Sequence, residues 1–277
     1  MTTCVCGHSA RQPCRRSSTR VAVAPLFLMV SLLIGLQAGP TEARIVKSKA
    51  VAQRQQGLTL GAHAELENGD YAIPFLLEWA PTPKLKFSLE PAFGGTLDDN
   101  GKWQRGMLDT EVTALYEFLP ERRSSPSIAL QLGVKMPTAN NPELGTKKTD
   151  FLIGVVAAKE YVKYDLELSA GYTVLGKPTG TKLSNVFEVS LAGEWHWRPR
   201  LDLLGELTAS SGGSVRRGSG LGGVLSAIDN AGSTEVEMIF GVAERLGTHW
   251  KLEQGVAAKS DGTVQLLIGW EYEFSGA

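Results

Sequence analysis

The segment 263–274 reads TVQLLIGWEYEF. Alternate residues of this segment are apolar and become aromatic toward its end: Val264, Leu266, Ile268, Trp270, Tyr272 and Phe274. The residues between them are mostly polar and end with Glu271 and Glu273. Alternation with a period of two residues is the signature of a β-strand whose two faces meet different environments. An apolar face that ends in aromatic rings, opposite a charged face, predicts a strand between lipid and a wet lumen, as in an outer-membrane β-barrel.

The N-terminal region has the features of a secretory signal peptide. Four arginines, the last of them Arg20, precede an apolar run over residues 21–36, and small residues follow the run as far as Ala43. This run is shorter than the ~20 residues of a transmembrane helix and contains Pro25, which argues against a membrane anchor. We predict that residues 1–43 are a signal peptide, that residues 44–56 are a short periplasmic segment and that residues 57–277 form the barrel.

Composition narrows the classes of function. Lys and Arg together number 28 and Asp and Glu 29, and four of the arginines lie in the predicted signal peptide. The remainder is therefore mildly acidic, which is not typical of a nucleic-acid-binding protein. All three cysteines (Cys4, Cys6 and Cys14) precede the apolar run, and Cys4 and Cys6 lack a second ligand pair at zinc-finger spacing. We therefore predict neither a metal nor a cofactor.

Segments with a period of two residues recur along the chain between turn residues. There are twelve, and most span 11 to 14 residues, whereas a soluble strand has ~5–6 and a tilted strand that crosses a bilayer needs about ten. The predicted strands are 57–67, 70–80, 84–95, 106–119, 126–136, 149–160, 161–174, 183–198, 199–210, 232–244, 248–259 and 262–274. An even number is typical of bacterial barrels. The fold class predicted is all-β, an antiparallel up-and-down transmembrane β-barrel of twelve strands.

The connections between these strands differ in length according to their position. If both termini lie in the periplasm, every connection after an even-numbered strand lies there as well, where turns are short. Connections after even-numbered strands include the short turns at 81–83 and 198–200. Connections after odd-numbered strands include every long one, at 96–105, 137–148, 175–182 and 211–231, and also two tight turns, at 68–69 and 261–262. We therefore predict that the long connections are extracellular.

The alternation also assigns the two faces of the wall. Apolar residues in one phase, such as Leu130 and Leu168, are predicted to face lipid, and aromatic residues near strand ends are predicted to form interfacial girdles. Lys or Arg on the lipid face would cost roughly 2–4 kcal/mol at the midplane, so charges should turn inward. Ten inward-facing residues are candidates for the lining of the lumen: Glu65, Glu67, Glu111, Lys135, Glu167, Glu188, Glu194, His196, Glu206 and Glu237.

The acidic excess on the inner face has two interpretations. It forms a cation-preferring pore, or it pairs with basic residues on adjacent strands and fills a narrow lumen. The lysines available for such pairs are Lys84, Lys86, Lys135, Lys163 and Lys251. The second interpretation is favoured, because a ring of twelve strands lies between the filled barrels of eight strands and the open ones of sixteen or more.

The sequence predicts an irregularity in one strand and leaves the lipid-facing side of another undetermined. Pro74 removes one donor from the ladder, and we expect a β-bulge there. In residues 149–160, Leu152 and Val156 compete with Ile153 and Val155 for the lipid-facing phase.

The second half of the chain resembles a known outer-membrane family. The motifs that carry the resemblance are, in order, Gly-Val-Lys-Met-Pro-Thr at 133–138, a polar loop, Asp150, Lys159, Gly171-Tyr172, Gly193-Glu194-Trp195 and Leu203-Leu204-Gly205-Glu206-Leu207. Together they resemble the family labelled "MetA-pathway of phenol degradation". The resemblance implies a barrel with a transport function that is linked by name to the catabolism of aromatic compounds. It supplies no catalytic residues.

Motifs that would indicate an enzyme are weak. Gly218, Gly220 and Gly223 match a dinucleotide-binding fingerprint, but no alternation of strands and helices surrounds them, so we predict an extracellular loop. His63 and His196 fall on the inward face, and no Gly-x-Ser-x-Gly or His-Glu-x-x-His pattern occurs. Ser190 shares a strand with His196 but lies about 20 Å along it. We therefore predict no catalytic residues.

These observations predict a channel. The chain is expected to be a monomer in the bacterial outer membrane that contacts lipid and passes small solutes, including aromatic or apolar ones, without binding nucleic acid. Two alternatives stay open. One is a structural or surface-interaction barrel that uses loop 211–231 as its adhesion surface, and the other is a barrel-embedded enzyme that modifies lipids.

Overall fold

The computed structural model of the chain describes residues 57–67, 70–97, 101–141, 144–177, 184–211, 214–215, 228–229 and 234–275. The predicted signal peptide (1–43), the predicted periplasmic segment (44–56), most of the loop 211–231 and the three glycines of the fingerprint lie outside the described residues.

Regular structure in the described residues consists of β-strands. They are β1 (Gly57–Glu67), β2 (Asp70–Thr82), β3 (Leu85–Glu90), β4 (Ala92–Leu97), β5 (Trp103–Met107), β6 (Thr110–Leu119), β7 (Ser127–Met136), β8 (Asp150–Glu160), β9 (Tyr164–Val174), β10 (Val186–Arg198), β11 (Leu201–Ser211), β12 (Ser214–Val215), β13 (Ile228–Asp229), β14 (Thr234–Leu246), β15 (Trp250–Lys259) and β16 (Val264–Ser275). Within the described part of the chain, no helix has the length and apolar character needed to cross a membrane.

Twelve of the strands form one closed antiparallel ring. β1 pairs with β2 on one side and with β16 on the other, and this closes the sheet on itself. From β16 the order continues through β15, β14, β11, β10, β9, β8, β7, β6 and β3 back to β2. The predicted fold, an all-β up-and-down barrel of twelve strands, is confirmed. Closure matters physically because an open edge would leave unpaired backbone groups in a membrane.

The hairpin of β4 and β5 lies outside the ring and corrects two predicted strands. Where the sequence predicted single strands at 84–95 and 106–119, Pro91 separates β3 from β4, and Leu108 with Asp109 separates β5 from β6. β4 continues along β2, with Gly95 opposite Tyr71, and β5 pairs with β4. The hairpin therefore extends the wall at one end of the ring.

Pro74 interrupts a ladder without the predicted β-bulge. The pairing of β1 with β2 keeps one register across Pro74, with Ala62 opposite Phe75 on one side and Glu65 opposite Ala72 on the other. The register shift in β2 lies instead between Trp79 and Thr82. Proline removes a donor but adds no residue, so the ladder opens while its register is kept.

The long connections lie at one end of the ring, as predicted. Short connections follow β2, β6, β8, β10 and β14, and their end, which we call the short-turn end, also holds Gly57. At the opposite end, which we call the long-loop end, β7 is followed by residues 137–149, β9 by 175–185 and β11 by 212–233, while the connections after β1 and β15 are short. The predicted long connection 96–105 is mostly strand, because residues 96–97 belong to β4 and residues 103–105 to β5.

The two faces of the wall follow the predicted alternation. Leu168 is 51% exposed while the preceding Glu167 is 7% exposed, and the same contrast recurs around the ring. In β8 the open question is resolved, because Ile153 and Val155 are exposed and Val156 is buried. Exposed apolar side chains thus cover the outside, and charged side chains turn inward.

Aromatic pairs stand near both ends of the strands. At the short-turn end, the ring centroids of Trp250 and Tyr272 are 4.8 Å apart, and those of Tyr161 and Tyr164 are 4.6 Å apart. At the long-loop end, Tyr71 and Trp103 have centroids 5.7 Å apart. Such rings suit the two interfaces of a bilayer, where an apolar body and a polar edge are both accommodated.

Candidate functional site: the inner wall of the barrel

The ten residues predicted for the lumen all lie in the inward-facing phase of their strands. Glu65, Glu67, Lys135, Glu167, Glu194, Glu206 and Glu237 are buried, and Glu111, Glu188 and His196 are half-buried. Buried charges need partners, because an isolated ion in a low-dielectric interior is very costly. Seven of the ten belong to four groups around the ring rather than to one site, and Glu167, Glu188 and Glu237 lie on the inner wall outside these groups.

The first group joins the first strand of the ring to its last two strands. Gln265 Nε2 donates to Glu65 Oε2 over 3.1 Å, and His63 Nε2 lies 3.2 Å from Glu65 Oε1. Next to them, Lys259 Nζ lies 2.5 Å from Glu67 Oε2. These contacts link β1 with β15 and β16, so they stabilise the closure of the ring as well as line its interior.

The second group surrounds Lys135 on β7. Its ammonium lies 2.6 Å from Asp150 Oδ2 and 3.5 Å from Asp109 Oδ2, and it donates to Thr146 Oγ1 over 3.1 Å. Glu111 stands opposite Lys135 in the ladder between β6 and β7. One cation therefore has several carboxylates around it.

In the third group, hydroxyl groups hold a carboxylate. Ser190 Oγ donates to Glu206 Oε1 over 2.7 Å, and Thr208 Oγ1 donates to the same oxygen over 2.8 Å. Both donors are neutral hydroxyl groups, and both bond to the same oxygen of the carboxylate. Ser190 and His196 have different partners, as the predicted distance along the strand required.

The fourth group lies near the short-turn end and is centred on Arg245. Its guanidinium Nη2 is 2.7 Å from Asp202 Oδ2 and 3.6 Å from Glu194 Oε1. His196 Nδ1 lies 3.1 Å from Asp202 Oδ1, and its Nε2 lies 3.5 Å from Asp165 Oδ2. Sequence reasoning placed Arg245 in a turn, although it continues the inward phase of Glu237 and Ala243 on β14.

This fourth group includes a set of side chains with the spacing of metal ligands. Glu194, His196 and Asp202 each offer a ligand atom, and these atoms lie within 4.8 Å of one another. The guanidinium of Arg245 already bonds to two of the three residues. A divalent cation would have to displace it or lie beside it, so the arrangement is that of an ion-pair network.

Pairing of inward charges across strands is confirmed for three of the five predicted lysines. Lys86 Nζ lies 3.1 Å from Glu78 Oε1 on β2, and Lys251 Nζ lies 3.7 Å from Glu271 Oε2 on β16, in addition to the contacts of Lys135. Lys84 and Lys163 instead lie exposed in short turns. Turn residues project into water at the rim, so they are out of reach of the carboxylates on the wall.

An apolar patch on the inner wall was not predicted. Leu204, Ile239 and Leu267 are buried to 4% exposure or less, together with alanines of β10, β14 and β15, and they lie in the same phase as the charged residues. The patch lies between the Arg245 group and the Glu206 and Glu65 groups along the strands. A signal existed in the sequence, because the doublet Leu266-Leu267 breaks the alternation of the last strand.

The loop between β7 and β8 folds back over the inner wall at the long-loop end. Asp109 accepts hydrogen bonds from the backbone amides of Ala139 (3.1 Å) and Thr146 (3.2 Å). Leu144 is buried in a cluster with Ala72, Ala92 and Leu108. The described part of this loop therefore narrows the entrance to the lumen, a feature that the sequence did not indicate.

Known structures share this architecture. The chain is similar to an outer-membrane channel labelled COG4313 from Pseudomonas putida F1, with a TM-score of 0.60 and 14% identity over 86% of this chain and 100% of that one. It is also similar to the NanC porin (TM-score 0.57, 9% identity, 78% and 100% covered) and to the KdgM porin (0.55, 10%, 78% and 99%). No protein-family model matches the sequence, and no curated protein matches it. At these identities the similarity establishes the fold, that of bacterial outer-membrane porins and channels.

Proposed function

We propose that the protein is a passive outer-membrane channel for small solutes. The observation that carries the proposal is the inverted polarity of the closed ring, whose exposed outer side chains are apolar and whose buried inner side chains are charged. A wall of this kind is stable with lipid outside and water inside. The similarity to porins and channels supports the outer membrane as the location. The short-turn end is proposed to face the periplasm, because periplasmic turns are short in bacterial barrels, and the chain is proposed to act as a monomer.

The inner wall favours cations. Lys135, Lys251 and Arg245 each lie within 4 Å of two carboxylates, so carboxylates outnumber cations in these contacts. The Glu206 carboxylate, which accepts hydrogen bonds from two hydroxyl groups, is a further acidic group on this wall. Carboxylates that line a narrow passage set a preference for cations, because a permeating anion meets their repulsion.

We further propose that the transported solutes are small aromatic or apolar compounds. Two observations support it: the resemblance to the phenol-degradation family in the second half of the chain, and the apolar patch of Leu204, Ile239 and Leu267 on the inner wall. A lumen that combines an apolar patch with carboxylates suits solutes that have an apolar body.

The test compares ionic conductance with solute uptake. Purified barrel in planar bilayers should show a cation-selective conductance, and proteoliposomes should swell with small solutes at a rate that depends on the barrel. Uptake of small aromatics without conductance would support transport along a path other than the open lumen. Absence of both conductance and uptake would contradict the transport proposal.

A structural or surface-interaction role is the second candidate. The observation that favours it is the β4–β5 hairpin, which extends the wall beyond the ring and carries exposed apolar side chains. We assign no enzymatic activity, since the groups described on the inner wall are ion pairs and hydrogen bonds that stabilise adjacent strands. Loss of surface binding on deletion of the loop 211–231, with conductance unchanged, would support this second candidate.

A further inference from the structure

The outward face of the β4–β5 hairpin is apolar and exposed at the long-loop end. Phe93, Leu97, Trp103 and Met107 are between 37% and 45% exposed, and all four project to the same side as the lipid-facing residues of the neighbouring β2. The face is therefore continuous with the apolar outer wall of the barrel, at the long-loop end of that wall.

The aromatic residues of this face form a platform that is built into the strands. The Tyr71 ring lies across Gly95, where an added Cβ would come 2.7 Å from Tyr71 Cε1. Its centroid is 5.7 Å from that of Trp103 and 6.4 Å from that of Phe93. A side chain at position 95 would therefore displace the Tyr71 ring, and glycine allows the ring to lie in this position.

Arg105 is placed on this platform. The Cζ of its guanidinium lies 5.3 Å from the centroid of the Trp103 ring. In the ladder Arg105 continues the outward row of Leu66, Tyr71 and Gly95. Among the twelve strands of the ring and the β4–β5 hairpin, Arg105 is the one charged residue in the outward phase of the half nearer the long-loop end.

A single arginine on an apolar, lipid-facing wall needs an anion. In the hydrocarbon region the charge would be costly, and the cost is small near the interface, where headgroups lie. Guanidinium groups bind phosphate through two parallel hydrogen bonds and also stack on aromatic faces. The flanking rings suit the boundary between headgroup and acyl chain.

We propose that the outward face of the β4–β5 hairpin binds a phosphorylated glycolipid of the outer leaflet, with Arg105 contacting the lipid phosphate and Tyr71, Phe93 and Trp103 contacting the adjoining apolar region. The inference rests on the outer-membrane location and orientation proposed above and is independent of whether the lumen conducts. Arg105 lies on the outside of the wall, so its substitution should leave conductance unchanged.

The chain provides a matched control at the opposite end. Arg198 also stacks on a tryptophan, with its Cζ 4.7 Å from the centroid of the Trp197 ring, but it ends β10 beside the short turn. In the proposed orientation Arg198 faces the inner leaflet. Arg105→Gln and Arg198→Gln therefore remove the same interaction from the two ends of the barrel.

The experiment measures glycolipid binding to the purified, assembled barrel. Full-length barrel in mild detergent is titrated with a bisphosphorylated glucosamine-based glycolipid, and the bound fraction is measured by native mass spectrometry. We expect Arg105→Gln to weaken binding about fivefold, the effect of one cation near a lipid phosphate, and Arg198→Gln to leave it unchanged. The dephosphorylated glycolipid should bind the parent and Arg105→Gln equally. Heat-modifiable migration verifies that each variant is assembled.

Several outcomes would overturn the proposal. The first is that the assembled Arg105→Gln variant binds the glycolipid as well as the parent does. The second is that Arg198→Gln weakens binding as much as Arg105→Gln does. The third is that inorganic phosphate at the concentration of the glycolipid competes with it, which would indicate a site for the free anion. Capture of a protein partner that depends on Arg105 while glycolipid binding does not would also overturn it. A barrel that lacks conductance but binds the glycolipid through Arg105 would contradict the channel and support the inference.

Discussion

Lys135 Nζ on β7 lies 2.6 Å from Asp150 Oδ2 at the start of β8. The same ammonium lies 3.5 Å from Asp109 Oδ2, and Asp109 in turn accepts the backbone amides of Ala139 and Thr146. A buried cation thus joins the inner wall to the loop that folds over it. Lys135 therefore contacts both a neighbouring strand and the carboxylate that holds the loop at the entrance, and we expect both to depend on it.

Substitution of Lys135 tests this dependence. Lys135→Met leaves Asp109 and Asp150 without their shared cation, and removal of one partner from a buried ion pair costs about 3–5 kcal/mol. We expect a lower unfolding midpoint in urea, measured with the barrel in detergent. Lys84→Met, in an exposed turn, is the matched control and should change stability little. Equal shifts in the two variants would show that the buried group does not stabilise the barrel.

The two faces of β9 provide a test that uses adjacent residues. Leu168→Arg places a charge on the outer face and should impair insertion by roughly 2–4 kcal/mol, whereas Glu167→Arg places the same side chain on the inner face. We expect heat-modifiable, assembled barrel from Glu167→Arg and little from Leu168→Arg. Similar yields of assembled barrel from both variants would contradict the assignment of faces.

Charge selectivity should depend on the inner carboxylates. Glu65→Gln, Glu167→Gln and Glu237→Gln, combined in one variant, remove three negative charges from the inner wall. We expect the reversal potential in a salt gradient to move toward zero, because carboxylates raise the local concentration of cations. The control is Glu244→Gln, which removes a charge from the outward phase of β14. A selectivity unchanged by the triple substitution would place the passage elsewhere.

The orientation of the barrel can be measured by cysteine labelling. The three cysteines of the chain all precede residue 21, so a single cysteine introduced into the barrel is unique once the predicted signal peptide is removed. A membrane-impermeant maleimide on intact cells should label Lys102→Cys, at the long-loop end, and spare Lys84→Cys, at the short-turn end. The opposite result would invert the barrel and remove the basis for a site in the outer leaflet.

The alternation of apolar and polar residues along the sequence was enough to predict much of the fold. The number of strands in the ring, the separation of short from long connections and the inward direction of residues such as Glu65 and Glu194 all follow from alternation with a period of two. A one-residue slip would bring the whole charged set of a strand into lipid, so the pattern leaves little freedom.

The pattern failed where a contact depends on distant parts of the chain. It did not predict that Pro91 divides a strand, that Arg245 belongs to the inner wall or that Leu204 and Ile239 form an apolar patch there. Each depends on which strands become neighbours and on how they are staggered, and neither is encoded in a short window of sequence.

The sequence by itself determined that this chain forms a closed barrel with an apolar outside and a charged inside, because the alternation of side chains is a property of each strand taken alone. Only the tertiary structure decided which charges meet. Glu67 and Lys259 are 192 residues apart, and they form an ion pair because closure of the ring brings β15 and β16 round to β1. Their contact follows from the register of twelve strands, a long-range geometric condition that no local pattern contains.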